Sequence, residues 1–293
     1  MNEIKTAIIP MAGLGTRFLP LSKTVPKELW PLIDGPVIQR IITEAIDSGI
    51  EKIVFVLSPD NKKILDYLKP APKIEKILKE RKKEKLLSEF KEFEDKLASI
   101  SYSYVLQKNP LGDGHSILQA ARFAKDEPVA VLFADDIVDS QKPCISQLMA
   151  TFKTCQKPVV ALYRLPKEKL HFYGIVGVEK IANRFFKIRE IIEKPERGKE
   201  PSDLAIVGKY VLTPEVFQYL KKAKPSEKGE IILAEVFDKI LREGRVVYGY
   251  EFEGKWLECG NKNDWLKTIV YLALEDQRFG PEIKKFLKEN GAI

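Results

Sequence analysis

Cysteine is scarce: Cys144, Cys155 and Cys259 are the only three in 293 residues. They are widely spaced and include no CxxC pair, which argues against a disulfide framework and against a thiolate zinc site. Histidine is scarcer still, with His115 and His171 alone. Long apolar runs are missing. The first, Ala7–Ala12, falls far short of a signal peptide, and no stretch of 18 apolar residues follows anywhere. These absences lead us to expect a soluble, cytoplasmic protein with no membrane partner. There is also no internal repeat, no low-complexity tract and no Pro/Gly-rich linker that would divide the chain.

The charge present is mixed. The chain carries a formal +7, with 31% charged and 44% hydrophobic residues. Glu is interleaved with Lys almost everywhere, whereas a nucleic-acid binder gathers its basic residues into a stripe with stacking aromatics. The excess therefore points to small anions such as phosphates rather than to nucleic acid.

Hydrophobic patterning gives the order of elements. Lys5–Ala12 is a short apolar run that stops at a glycine loop, as a buried strand would. Pro36 opens a helical stripe of Val37, Ile38, Ile41, Ile42, Ala45 and Ile46, closed by Gly49. Lys52–Leu57 is a second buried strand, and the three form a βαβ unit with parallel strands. Residues 73–97 are dense in Lys and Glu with apolar residues on a helical period, which predicts an amphipathic helix or helical pair. Ser103–Gln107, Val129–Ala134 and Val159–Tyr163 read as further strands between helices at 116–124 and 143–155. Ile175–Glu179, Phe185–Glu193 and Leu204–Leu212 are strand-like with little helix, and 231–243, 264–276 and 282–289 are helical. An α/β half followed by a β-rich half predicts a mixed sheet with added strands.

Chemistry concentrates first in Gly13-Leu14-Gly15-Thr16-Arg17-Phe18-Leu19-Pro20. Two glycines let backbone amides approach phosphate oxygens, and Arg17 adds a bidentate donor, with Lys23 and Lys27 close behind. A dinucleotide fingerprint requires a third glycine where Phe18 stands, and a Walker A loop requires a GK[ST] that is missing. A plain turn would explain the two glycines as well. Asp135 follows an apolar strand, where open α/β sheets bind ligands; the bland alternative is that Asp135-Asp136 caps the next element.

The run from Ala12 through Asp34, AGLGTRFLPLSKTVPKELWPLID, resembles the signature of the sugar-nucleotide pyrophosphorylases, and among them the bacterial UTP–glucose-1-phosphate uridylyltransferases. Further matching segments follow in order: Gln107 with Gly112–His115, Ala134-Asp135-Asp136, Tyr173-Gly174, Glu193-Lys194-Pro195 and Leu204–Leu212.

The resemblance implies one nucleotidyltransferase domain over 1–293, with a Rossmann-like mixed sheet flanked by helices. Within it, 1–160 would bind nucleotide and carry the 73–97 insertion, 161–263 would bind sugar phosphate, and 264–293 would be C-terminal helices. It implies the making of UDP-glucose and pyrophosphate from UTP and glucose 1-phosphate. Another base or sugar, such as dTTP or galactose 1-phosphate, or a non-catalytic sugar-nucleotide binder, is the alternative. Arg17, Lys27 and Lys194 would be catalytic. Ala12, Gly13, Gly15, Thr16, Gln107 and Gly112 would hold the nucleotide. Gly174, Glu193, Lys194 and Ile206 would take the sugar phosphate, and Asp135 and Glu258 a Mg2+ ion. A homo-oligomer, dimer or tetramer, is implied too. His115 reads as a hydrogen-bonding residue at a helix start, since a phosphate nucleophile needs no general base.

The sequence departs from the family pattern in several places. Glu258-Cys259-Gly260 stands where Asp-Cys-Gly is expected, and Asp264-Trp265 replaces a glycine–aromatic pair. Gly229–Val236 reads GEIILAEV against GEIQLTDA. Asp113 replaces a Leu in the glycine-rich loop of the expected base pocket.

Overall fold

The computed structural model describes residues 3–227 and 229–291. Strand β1 (Thr6–Met11) runs into the glycine loop, beyond which β2 (Pro31–Leu32) and β3 (Gly35–Pro36) make a small antiparallel hairpin before α1 (Val37–Asp47). The chain continues through β4 (Lys52–Leu57), α2 (Lys63–Tyr67), the insertion helices α3 (Pro72–Glu80) and α4 (Glu84–Ala98), and β5 (Ser101–Leu106). Helices α5 (Asp113–Gln119) and α6 (Ala121–Ala124) precede β6 (Val129–Leu132), β7 (Asp136–Asp139), α7 (Cys144–Cys155) and β8 (Val159–Arg164). The β-rich stretch holds β9 (Gly174–Ala182), β10 (Phe185–Glu193) and β11 (Leu204–Leu212). Then come α8 (Pro214–Lys222), α9 (Leu233–Arg242), β12 (Tyr248–Glu251), β13 (Lys255–Glu258), α10 (Lys262–Glu275) and α11 (Gly280–Glu289).

Nine strands form one mixed sheet in the order β5-β4-β1-β6-β11-β8-β12-β10-β9. The first four are parallel, while β11 runs antiparallel to both β6 and β8. The central strands are continuous apolar runs because both faces are covered. Ala7, Ile9 and Met11 of β1 enter one core with α1 and α7, and Ile8 enters the other with α5, α8 and α9. The period of two sorts the remaining strands in the same way.

Lys209 obeys that period at a cost. It stands between Val207 and Val211 on the α1 face of β11, with no exposure at all. Its ammonium donates to Glu44 Oε2 of α1 at 2.7 Å, and Glu44 Oε1 accepts the Ile145 amide at 3.0 Å. Removing either member of such a buried pair would leave the other without a partner, which is strongly destabilising.

The 73–97 reading resolves as a pair, α3 against α4, bridged by Lys91 and Glu75 at 3.4 Å. Helix α8 was not expected from the sequence, nor were the short strands β7, β12 and β13. Glu258 of β13 pairs with Asp136 of β7, and the Cys259 amide donates to the Asp135 carbonyl at 2.7 Å. This two-stranded sheet brings together two chain segments more than a hundred residues apart at the carboxyl end of β6.

Candidate active site

Strands β1, β4, β5 and β6 end along one rim of the sheet, the position at which ligands meet open α/β sheets. The glycine loop leaves β1 there. Gly15 takes a left-handed φ of 62°, which a glycine adopts without penalty. The amides of residues 13–16 donate to no other described residue and lie near solvent, which leaves them available as donors to phosphate oxygens. Behind the loop, Phe18, Trp30 and Trp265 pack edge to face at 4.5 and 4.7 Å, and Lys262 donates to the Leu19 carbonyl at 2.5 Å. Trp265, the aromatic member of the Asp264-Trp265 pair, thus ties α10 to the loop.

Gln107, at the end of β5, is 4% exposed rather than a surface residue. Its Nε2 lies 3.2 Å from the Gly112 carbonyl and 2.8 Å from His115 Nδ1. A carbonyl only accepts, so the amide nitrogen must face it, and His115 Nδ1 must then accept the second proton. Burial lowers the His115 pKa and favours that neutral ring. Both Gln107 protons are engaged, and its Oε1 is left as an acceptor for an N–H from outside. Gly112, at φ 94° and ψ 176°, lies where a Cβ would come within 2.6 Å of the Ile231 carbonyl oxygen.

Asp113 is engaged within the fold through one oxygen. Its Oδ1 accepts the Gly114 amide at 2.7 Å and the Leu233 amide at 3.0 Å. Helix α9 begins at Leu233 with Ile232 at its N-cap position and no side-chain cap of its own, so Asp113 supplies one from across the site. Asp113 thus bonds to the backbone of the 229–236 segment at Leu233, a position where that segment keeps the expected letter. Burial pushes the Asp113 carboxyl up to about 6.

A cleft of about 770 Å3 opens beside the loop, lined on one side by Arg17, Asp135 and Glu258, and on the other by Gly174, Glu193, Lys194 and Ile206. Gly174 is where it is because a Cβ there would sit 3.0 Å from Glu193 Oε2 and 3.6 Å from Ile206 Cδ1. Lys194 has φ 49°, an uncommon left-handed backbone for a lysine, with its amide held by the Tyr173 carbonyl at 3.1 Å.

Lys27 donates to Asp135 Oδ2 at 2.6 Å. Burial opposes both charges, but their mutual attraction prevails, holding the ammonium above and the carboxyl below its ordinary range. Asp136 faces elsewhere, toward the Gly208 amide at 3.1 Å and the Trp256 indole at 2.8 Å. Burial and then the Asp135 charge push it up to about 7.

Two residues without an expected role stand out. A Cβ on Gly260 would lie 3.1 Å from Glu258 Oε1, 3.5 Å from Asp135 Oδ2 and 3.7 Å from an Arg17 nitrogen, so three charged groups converge on one point. Tyr173 donates its hydroxyl to Glu258 Oε2. The pairing of β13 with β7 creates both contacts, and no local sequence signal encodes it.

A profile of the nucleotidyl transferase family matches residues 6–274. A UTP–glucose-1-phosphate uridylyltransferase of Staphylococcus saprophyticus is 41% identical over 289 residues, covering 99% of each chain. A UTP-bound UGPase from Acinetobacter baumannii superposes with a TM-score of 0.88 at 33% identity, covering 98% of this chain and 99% of that one. A UDP-glucose pyrophosphorylase complexed with UDP-glucose gives 0.84 at 30% identity, covering 93% and 100%.

Proposed function

The chain belongs to the nucleotidyl transferase family, among the UTP–glucose-1-phosphate uridylyltransferases, and from that premise we propose how its residues make UDP-glucose and pyrophosphate from UTP and glucose 1-phosphate. The observation that carries the proposal is the convergence of Arg17, Asp135 and Glu258 between the open-amide loop and the Glu193–Lys194 strand end. That is one continuous site with an anion cradle at one end and a sugar-sized recess at the other.

The reaction is attack by a phosphate oxygen of glucose 1-phosphate on the α-phosphorus of UTP, with pyrophosphate departing in line. Positioning and charge neutralisation supply most of the rate. The amides of Gly13, Gly15 and Thr16 hold the triphosphate. Arg17, which makes no ion pair among the described residues, is free to clamp it. Lys27 stands ready to exchange its bond to Asp135 for phosphate oxygens. Ala12 and Gly112 flank the base, and the free Oε1 of Gln107 accepts from an N–H. Uracil and thymine offer one at N3, where cytosine has an acceptor, so the arrangement selects against cytosine. Glu193 accepts sugar hydroxyls over Gly174 and Ile206, and Lys194 neutralises the sugar phosphate.

Asp135 and Glu258 suit a divalent cation. No group of three His, Cys, Asp or Glu side chains that could cage an ion occurs among the described residues. Two carboxylates aimed at a shared point beside the phosphates are what an ion completing its shell with water and phosphate requires, and magnesium is the natural choice. When bound, the cation neutralises phosphate charge as it moves onto the leaving group.

A homo-oligomer belongs to the same reading, supported by Leu266 and Val270, about half exposed on α10. So does a cytoplasmic location, consistent with three unpaired cysteines and with no described helix long and apolar enough to cross a membrane. Pyrophosphate release should be measured for UTP, dTTP and CTP against glucose and galactose 1-phosphates. UTP with glucose 1-phosphate should be fastest. No release from any pair, with ligands still bound, would refute an enzymatic role.

A further inference from the structure

Glu258 is an unusual choice for the second carboxylate. It reaches about 1.5 Å further than aspartate and adds a torsion, so its oxygens sample a wider volume unless something fixes them. Backbone position is not the problem. Glu258 is paired with Asp136 across the small sheet, and its carbonyl accepts the Thr268 hydroxyl at 3.1 Å. The side chain is the free part, and it makes no ion pair among the described residues.

We propose that Tyr173 is a positioning residue for Glu258: its hydroxyl pins Oε2 so that Oε1 faces the shared point with Asp135 Oδ2. The tyrosine is itself fixed. Its ring meets Trp256 edge to face at 5.1 Å, and the Trp256 indole is anchored on Asp136 at 2.8 Å. Asp136 in turn accepts the Gly208 amide at 3.1 Å. A rigid chain of contacts thus runs from the main sheet to one oxygen of Glu258, and the other lies 3.1 Å from the Cβ position of Gly260. A partner of this kind orients a metal-binding carboxylate without touching the metal. Tyr173 therefore answers the problem that the longer side chain creates.

The inference rests on the reading of Glu258 as a ligand, and the test separates the two. Mn2+ binding is measured by electron paramagnetic resonance on the full-length protein with UTP and no sugar phosphate, so no turnover occurs. Tyr173→Phe keeps the ring against Trp256 and should keep the melting temperature. It should weaken Mn2+ binding about tenfold, in the range for loss of an outer partner. In a Glu258→Asp background the same change should matter less than about threefold, because the shorter side chain has no extra torsion to restrain. Equal losses in both backgrounds, or unchanged Mn2+ binding in Tyr173→Phe, would overturn the positioning role. Glu258→Ala assigns the failure. If it leaves Mn2+ binding intact, the ligand reading falls and the inference with it. If it abolishes binding while Tyr173→Phe does not, only the inference falls.

Discussion

Replacing Gly112 with alanine should strike the nucleotide end of the site while sparing the sugar end. The residue has φ 94° and ψ 176°, a region essentially reserved for glycine, where a side chain costs about 1–3 kcal/mol. The added methyl would also lie 2.6 Å from the Ile231 oxygen and 2.9 Å from its nitrogen, against the 3.4 Å at which contact becomes ordinary. Relief requires the two segments to part by about 0.8 Å. That breaks the bonds between Ile231 N and Leu111 O, 2.8 Å, and between Gly114 N and Ile231 O, 2.9 Å. At about 1 kcal/mol each, they bring the total to roughly 3–5 kcal/mol, or about 10 °C in melting temperature for a chain of this size. The Gly112 carbonyl also orients Gln107, so the KM for UTP should rise at least tenfold. The KM for glucose 1-phosphate at saturating UTP should move far less. Calorimetry and initial rates on the purified variant measure both. A melting temperature within about 1 °C of the parent, with an unchanged KM for UTP, would refute the argument.

Gly260→Ala should behave oppositely. Its backbone is ordinary, so stability should hold, but the methyl stands among Arg17, Asp135 and Glu258, and kcat/KM should fall by about a hundredfold. Asp113 separates cap from charge. Its folded pKa of about 6 exceeds the ordinary 3.8, so the folded state keeps a proton that the unfolded chain releases, and stability declines as pH rises through that window. Asp113→Asn should flatten that decline in melting temperature and be no less stable at about pH 8. Asp113→Ala should lose about 1–2 kcal/mol with the cap, and an Asn variant less stable than the Ala variant would count against this account. Lys209→Met leaves Glu44 buried without its cation and should cost about 3–5 kcal/mol in a denaturant titration. Adding Glu44→Gln should restore much of it, because Gln can still accept the Ile145 amide.

The sequence made the sheet legible where burial on two faces forces an unbroken apolar run, as in Lys52–Leu57 and Leu204–Leu212, and both strands end where the pattern ends. Helix α8 was missed although its signals were there to be read: Pro214 stands at its start, and Val216, Phe217 and Leu220 lie on one face. The short strands β7 and β13 were not legible, since four mixed residues carry no period and their pairing spans the chain. The same distance hid the role of Asp113, whose partner Leu233 is 120 residues away. The glycine loop and the Glu193–Lys194 strand end could be proposed from local motifs, but the positions of Gly260 and Tyr173 against Glu258 depend on tertiary pairing alone.

Helix α9 has one more consequence. Its first amide is held by Asp113, next to the Gly112 loop, while its Val236, Phe237 and Ile240 pack in one core with Phe186, Ile188 and Ile191 of β10, the strand that ends at Glu193. The Gly112 loop and the Glu193 strand end, proposed above for nucleotide and sugar phosphate, therefore share a single mount. A substitution that loosens the apolar face of α9 is therefore felt at both ends at once, at the Leu233 amide and at the packing under β10.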